Sequence, residues 1–239
     1  MAVYTRLSCR QIERFGSWFE LGKIDRVVGI PAGTINTIYA LHTEQGRFVL
    51  RILEDRSLRD ARYEEALLTH LDAATLAAVP KMRRNRQHGG VISLSSRQHV
   101  SVFDWMDGRS LSSDEVEAEH AQQVGVFLAE LHQVGHRFRR RRRNRFAPPL
   151  IAKTLNRVAR FAEGLEDSDA RMYVDRLGRE FDAFRWPSGV PEGTIHGDLF
   201  VDNALFSGRE LVGVLDFEMA CSGPLIYDLA VALLEWGFP

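Results

Sequence analysis

Two short apolar segments, residues 204–206 and 211–215, lie on either side of a polar turn that contains Gly208. This pattern predicts a β-hairpin, because glycine readily takes the positive φ that a tight turn requires. The hairpin returns Asp216, which follows the second strand, to the side of Asn203, which precedes the first. The sequence therefore predicts two oxygen-bearing side chains close together at one end of a hairpin. The fold of the remaining chain has to be compatible with this hairpin.

The side chains at this point suit a cation and a hydroxyl. Carboxylate and amide oxygens are ligands that Mg²⁺ prefers, so Asn203 and Asp216 form a candidate magnesium site. Asp198 precedes Asn203 by five positions, which is the interval between the base and a metal ligand in kinase-type catalytic loops. Asp198 is then the candidate catalytic residue, free to orient or deprotonate a hydroxyl. A structural alternative stays open, since Asp and Asn are also ordinary turn residues.

Two neighbours of Asp198 are assigned to structure rather than to chemistry. His196 precedes a Gly-Asp turn, where its imidazole is expected to hydrogen bond the loop backbone instead of carrying protons. Asp202 is expected to cap a helix-like turn.

The composition excludes several classes of protein. A chain of 239 residues that is 45% hydrophobic and carries a formal net charge of −1 is typical of one large or two small globular domains, and neither disorder nor a nucleic-acid partner is expected. Cys9 and Cys221 lie far apart without metal-binding spacing, so both are predicted to be buried thiols in a reducing compartment. The longest aliphatic run, residues 229–234, is too short to span a bilayer. We expect a cytoplasmic protein without a membrane partner.

The first half of the chain predicts a small α+β lobe. Helical spacing of apolar residues indicates two helices, and apolar segments separated by turns at residues 31–33 and 43–46 indicate three antiparallel strands between them. The helices are expected at residues 10–21 and 59–76, and the strands at residues 24–30, 35–41 and 47–53.

This order of helices and strands resembles that of a kinase small lobe. The resemblance allows candidate nucleotide-binding residues to be assigned. The loop that contains Gly33, Thr34 and Asn36 would lie over the phosphates of ATP and offer backbone N–H groups and a hydroxyl. Arg51 would contact the phosphates from its strand, and Glu64 would pair with Arg51 from the following helix. The alternative is that Arg51 and Glu64 only face solvent.

The second half predicts a larger, mainly helical lobe. A hinge is expected near residues 106–108, which divides the chain into a small lobe of residues 1–107 and a large lobe of residues 108–239. A long amphipathic helix is expected over residues 114–134, with Ser112 or Ser113 as its N-cap, and His132 on its apolar face is expected to be a hydrogen-bonded core residue.

The run of arginines at residues 137–145 is the strongest local charge bias in the chain. Clustered arginines can bind nucleic acid, but the whole protein is slightly acidic and lacks a second basic segment. We expect an exposed connector. An alternative is that one of these arginines reaches a substrate or phosphate from the edge of the cleft.

Taken together, these segments resemble the homoserine kinases of the aminoglycoside phosphotransferase-like and choline-kinase-like superfamily. The resemblance covers most of the chain. It is carried by residues 29–37, 45–50, 196–206, 215–223 and 227–230. It implies a two-lobed, protein-kinase-like α+β fold.

The resemblance also implies an activity. The γ-phosphate of ATP, bound with Mg²⁺, would pass to the side-chain hydroxyl of L-homoserine and give O-phosphohomoserine on the route to threonine. Asp198 would accept the hydroxyl proton, Asn203 and Asp216 would hold Mg²⁺, and Asp228 would brace the catalytic loop by capping the helix over residues 229–234. Two alternatives are a kinase for another amino-alcohol or aminoglycoside acceptor, and a truncated pseudokinase that binds nucleotide without turnover.

The chain departs from the family pattern in three places. Arg51 stands where many relatives have lysine, and Glu218 stands where homoserine kinases often have an aromatic residue. A homoserine site needs an anion for the ammonium group and a cation for the carboxylate, and Glu218, Glu235 and several arginines are candidates. The chain stops at Pro239, where relatives continue through further helices. We therefore expect an incomplete large lobe and an uncovered apolar face over residues 229–236.

Overall fold

A computed structural model describes residues 5–31, 35–164, 168–185 and 188–237 of the chain. The small lobe is built on one antiparallel sheet with the strand order β1-β2-β3-β5-β4. Its strands are β1 (Ile24–Ile30), β2 (Thr37–Thr43), β3 (Gly46–Leu53), β4 (Val91–Ser93) and β5 (His99–Asp104). The predicted meander of the first three strands is confirmed, and β5 extends it by pairing with β3.

The two helices of the small lobe end where the backbone turns left-handed. Helix α1 (Cys9–Trp18) begins with a capping box at Ser8 and ends before the predicted residue 21, because Glu20 takes a φ of 55°. Helix α2 (Leu58–Ala73) is capped by Ser57 and ends before the predicted residue 76, because Thr75 takes a φ of 56°.

The large lobe contains four helices among the residues described, with short strands between them. The helices are α3 (Ala118–Gly135), α4 (Pro148–Glu163), α5 (Ser168–Ala183) and α6 (Leu225–Trp236). The strands β6 (Glu192–Ile195) and β9 (Cys221–Pro224) form one antiparallel pair, and β7 (Ala204–Ser207) and β8 (Glu210–Val214) form the predicted hairpin. Gly208 in its turn has a φ of 60°, as expected.

The predicted start of the long helix is wrong by several residues. Helix α3 begins at Ala118, and Ser112 caps a separate 3₁₀ turn, Ser113–Glu115, through a capping box with Glu115. The chain is extended at Val116, which separates the turn from the helix.

One hydrophobic cluster joins the two lobes. It contains Leu67 and Leu71 of α2, Leu131 of α3, Phe206 of β7 and Trp236 of α6, all with at most 3% of their surface exposed. A second cluster packs α1 against the small-lobe sheet. Because the shared cluster contains α2, the position of this helix depends on the packing of the large lobe as well as on its own sheet.

Three expectations about exposure need correction or completion. Cys9 is exposed, although Cys221 is buried as predicted. The arginine run is not exposed throughout, because Asn144 is buried and the Arg142 side chain is only 11% exposed. Leu229 and Leu233 of α6 face solvent, with 54% and 58% exposure.

Of the helices described, none is long and apolar enough to cross a membrane.

Two glycines of helix α3 provide a matched test of how closely this helix packs against β6. A Cβ atom at the buried Gly135 would lie 2.9 Å from the Cβ of Thr194, whereas nothing lies within 4 Å of a Cβ at the exposed Gly125. We expect Gly135→Ala to lower the free energy of unfolding by about 1–3 kcal/mol through overpacking. Gly125→Ala should raise it by roughly 0.5–1 kcal/mol, because alanine costs less backbone entropy in a helix. Chemical denaturation of both variants measures the difference, and equal effects would contradict the close contact between α3 and β6.

Candidate functional site

The loop that carries Asp198 is held by one buried carboxylate. Asp228, in the first turn of α6, accepts hydrogen bonds from the backbone N–H groups of His196 and Gly197 at 2.9 and 2.8 Å. The oxygen that binds His196 also lies 2.9 Å from Nε2 of His132 on α3. Asp228 therefore braces the loop as predicted, but from within α6 rather than as its cap, because this helix begins at Leu225. His132 is the hydrogen-bonded residue that its position predicted.

The His196 side chain connects the loop to the hairpin. Its ring is fully buried, lies 2.9 Å through Nε2 from the carbonyl oxygen of Leu215, and packs edge-on against Phe217 with ring centres 4.7 Å apart. Burial lowers the pKa of His196, although the charge of Asp228 opposes this shift. These contacts support the interpretation that His196 holds the loop and does not transfer protons.

Asp198 lies half-buried at the end of this loop, which follows β6. Burial raises the pKa of its carboxyl group, and the negative charges of Asp202 and Glu218 raise it further. A carboxylate with a raised pKa is a better proton acceptor than an ordinary one. The position therefore suits an acid–base role.

Asn203 and Asp216 meet at the end of the hairpin, as the sequence predicts. The backbone N–H of Leu215 donates to the carbonyl oxygen of Asn203 at 2.7 Å, which closes the hairpin next to Asp216. The amide nitrogen of Asn203 donates to the carbonyl oxygen of Asp198 at 2.7 Å. The amide oxygen of Asn203 is thus the end of the side chain that can bind a cation.

Arg51 and Glu64 form a buried ion pair beside Asp216. Nη2 of Arg51 lies 2.6 Å from Oε2 of Glu64, and Nη1 lies 3.8 Å from Oδ1 of Asp216. Burial lowers the pKa of Arg51, but the charges of Glu64 and Asp216 outweigh it, so the net shift is upward. The alternative in which both residues face solvent is wrong, since Arg51 is 7% exposed and Glu64 is 2% exposed.

The carboxyl group of Asp216 has the properties expected of a metal ligand. Burial and the charge of Glu218 raise its pKa to about 7. Oδ1 is buried and accepts no hydrogen bond from any residue that the structure describes. A cation would satisfy this atom and offset the burial of its charge. Mg²⁺ is commonly bound by one or two carboxylates together with phosphates and water, so Asn203 and Asp216 fit such an ion.

Glu218, a candidate partner for the acceptor ammonium group, lies buried against side chains of the small lobe. Its two carboxylate oxygens bind Nη2 of Arg56 at 2.6 Å and Nδ2 of Asn36 at 2.8 Å. Burial raises the pKa of Glu218, but the hydrogen bond from Asn36 and the charges of Arg51 and Arg56 outweigh it and lower the pKa overall. Sequence reasoning missed Arg56, because a single arginine in a polar loop carries no signal of its buried partner.

Arg142 is a second residue that sequence reasoning missed. It donates through Nε to the carbonyl oxygen of Ala220 at 2.8 Å and through Nη2 to that of Glu218 at 2.6 Å. Its guanidinium carbon also lies 4.5 Å from the centre of the Tyr63 ring on α2. One arginine of the predicted connector therefore supports the backbone that follows Asp216.

The predicted site residues Gly33 and Thr34 lie outside the described residues.

Comparison with known proteins adds a family and a fold. A family model described as a phosphotransferase enzyme family matches residues 26–239. A homoserine kinase of Rhizobium meliloti (strain 1021) is 32% identical in an alignment of 243 positions that covers 100% of this chain and 72% of the relative. A homoserine kinase of Methylorubrum populi is 35% identical in an alignment of 245 positions that covers 100% of this chain and 73% of that relative.

Two solved structures share the fold at lower identity. Amicoumacin kinase in complex with AMP-PNP and Ca²⁺ superimposes with a TM-score of 0.70 at 17% identity, over 95% of this chain and 68% of that one. Spectinomycin phosphotransferase in complex with ADP and spectinomycin has a TM-score of 0.72 at 11% identity, over 95% and 74%. The predicted two-lobed kinase-like fold is confirmed.

The contacts of Asp228 generate a stability prediction. In Asp228→Asn one carboxylate oxygen becomes an NH₂ group that faces another donor, so we expect a loss of about 1–3 kcal/mol in the free energy of unfolding. Urea denaturation measures this loss. Asp202→Asn alters an exposed carboxylate of the same loop and should leave stability unchanged within about 0.5 kcal/mol. Equal stability of both variants would show that the loop does not depend on Asp228.

Proposed function

We propose that this chain, which belongs to the phosphotransferase enzyme family, transfers the γ-phosphate of ATP to the side-chain hydroxyl of L-homoserine. The product would be O-phosphohomoserine, an intermediate on the route to threonine. Relatives named homoserine kinase that align with the whole chain support this acceptor. The observation that carries the proposal is the meeting of Asp198, Asn203 and Asp216 at the lobe junction, beside the Arg51–Glu64 pair.

Asp198 is proposed to orient the homoserine hydroxyl and accept its proton as the phosphoryl group transfers. Its half-buried position and raised pKa support this role. Phosphoryl transfer requires mainly positioning and charge neutralisation, so the protein contributes most by fixing this carboxylate relative to the phosphates.

Asn203 and Asp216 are proposed to bind Mg²⁺, which would neutralise the charge of the phosphate oxygens when bound. The buried Oδ1 of Asp216 supports this assignment, and so does the amide group of Asn203, whose nitrogen donates to Asp198 and leaves its oxygen as the end suited to a cation. Asp216 has a left-handed backbone, and its Oδ1 lies 3.8 Å from Nη1 of Arg51 in the small lobe.

The nucleotide is proposed to lie between a small lobe of residues 1–107 and a large lobe of residues 108–239. Arg51, fixed by Glu64, would donate to the phosphates. Gly33, Thr34 and Asn36 are proposed to form the flap above them. We place the reaction in the cytoplasm, which agrees with the free thiols of Cys9 and Cys221.

The first test is turnover of Mg-ATP against L-homoserine, choline, an aminoglycoside and no acceptor. We expect ADP formation that depends on homoserine and falls by about 10²–10⁴-fold in Asp198→Asn, because the proton acceptor is lost. Asp175→Asn, which alters an exposed carboxylate on α5, is the matched control and should retain full turnover. Turnover with another acceptor alone would keep the kinase and reject homoserine. Nucleotide binding without turnover would identify a pseudokinase.

Arg51 permits a test of the nucleotide assignment. Arg51→Lys keeps the positive charge next to Glu64, whereas Arg51→Met leaves that buried carboxylate unpaired. We expect the KM for ATP to rise about tenfold or less in Arg51→Lys and by a further factor of about ten in Arg51→Met. Initial-rate kinetics at varied ATP measure both values, and circular dichroism checks that both variants are folded. An unchanged KM for ATP in Arg51→Met would reject the assignment.

A further inference from the structure

The carboxylate of Glu218 uses both of its oxygens to bind the opposite lobe. Oε1 binds Nη2 of Arg56 at 2.6 Å, and Oε2 binds Nδ2 of Asn36 at 2.8 Å. All three side chains are buried, with 6% exposure for Asn36, Arg56 and Glu218. A charged pair removed from water in this way is strong and directional, so it fixes the separation of the segments that carry it.

The small-lobe partners are anchored to their own sheet. The N–H of Arg56 donates to the carbonyl oxygen of Arg97 at 3.1 Å, and the carbonyl oxygen of Arg56 lies 3.1 Å from Nε2 of the buried His99 at the start of β5. Asn36 immediately precedes β2, where the segment proposed to cover the phosphates ends. Glu218 is therefore bound to fixed points of the small lobe.

The large-lobe end is anchored as well. Glu218 lies two residues after Asp216, and its carbonyl oxygen accepts a hydrogen bond from Arg142 at 2.6 Å. Phe217, between the two acidic residues, is 1% exposed and packs against His196. A change in the position of Glu218 would therefore move Asp216 or break these contacts.

We propose that Glu218 is a positioning residue that ties the segment before β2 to the loop of Asp216, and that the Asn36–Glu218–Arg56 cluster thereby sets the nucleotide site. The proposal rests on the proposed function only in taking the lobe junction as the nucleotide site. It assigns Glu218 neither to the acceptor nor to the metal. Both of its carboxylate oxygens bind small-lobe side chains, and the residue is only 6% exposed.

The test is a double-mutant cycle on nucleotide affinity. Calorimetry measures the Kd of a non-hydrolysable ATP analogue with Mg²⁺, without acceptor, for the full chain and for Glu218→Gln, Asn36→Ala and the double variant. We expect each single variant to weaken binding about tenfold, and the double variant to be no weaker than the single variants within about twofold, because the substitutions break one shared contact.

Glu180→Gln is the matched control. Glu180 forms an exposed ion pair with Arg176 on α5 at 2.7 Å, so the same chemical change removes an ion pair away from the lobe junction. Nucleotide affinity in this variant should equal that of the unmodified chain. A melting curve for each variant separates loss of folding from loss of affinity. If Glu218→Gln does not fold, Arg56→Lys replaces it in the cycle, since lysine keeps the charge but loses the fork of donors.

Three outcomes would overturn the proposal. Additive effects in the double variant would show that Asn36 and Glu218 act independently, as expected if Glu218 binds metal. Unchanged nucleotide affinity with only a lower melting temperature would leave Glu218 a structural residue. A raised KM for the acceptor, with an unchanged Kd for nucleotide, would assign Glu218 to the acceptor. Failure of homoserine turnover alone would reject the acceptor assignment and leave this nucleotide test intact.

Discussion

The buried carboxylate of Asp228 is the contact on which the arrangement of the large lobe depends. It has no exposed surface, and such a group is tolerated in a protein interior only when its oxygens are hydrogen bonded. Its partners lie on the loop before Asp198 and on α3, while Asp228 itself lies on α6. Satisfying one carboxylate therefore requires three segments that are distant in sequence to meet. The position of Asp198 follows from that meeting.

A second constraint is the excess of negative charge at the lobe junction. Three carboxylates, those of Glu64, Asp216 and Glu218, lie against two guanidinium groups, those of Arg51 and Arg56. Arg56 and Asn36 stabilise the charge of Glu218, so the uncompensated charge falls on Asp216, whose pKa is raised to about 7. Nearby negative charge and burial both disfavour the charged form of a carboxyl group, and a nearby positive charge would offset them. The ion pairs of Arg51 with Asp216 and of Arg56 with Glu218 link the two lobes, because both arginines belong to the small lobe.

The sequence predicted those parts of the site that depend on local pattern and spacing. The hairpin between Asn203 and Asp216 follows from two short apolar segments and a glycine turn, and the pairing of Arg51 with Glu64 follows from the order of strand and helix. It could not predict the burial of Arg56 and Arg142. Arginines are usually exposed, and their burial here depends on partners brought together by the tertiary fold.

The backbone of Asp216 shows why these tertiary contacts matter for the proposed chemistry. Its φ of 59° and ψ of 60° place a residue with a side chain in the left-handed region, at a cost of about 1–3 kcal/mol. Such a conformation persists only where neighbouring contacts determine it, and here Phe217 and Glu218 fix the following residues through His196, Arg142 and the small lobe. Phosphoryl transfer depends on the fixed placement of charge. The contacts that hold Asp216 in a strained conformation therefore supply, in the folded protein, the positioning that the proposed reaction requires.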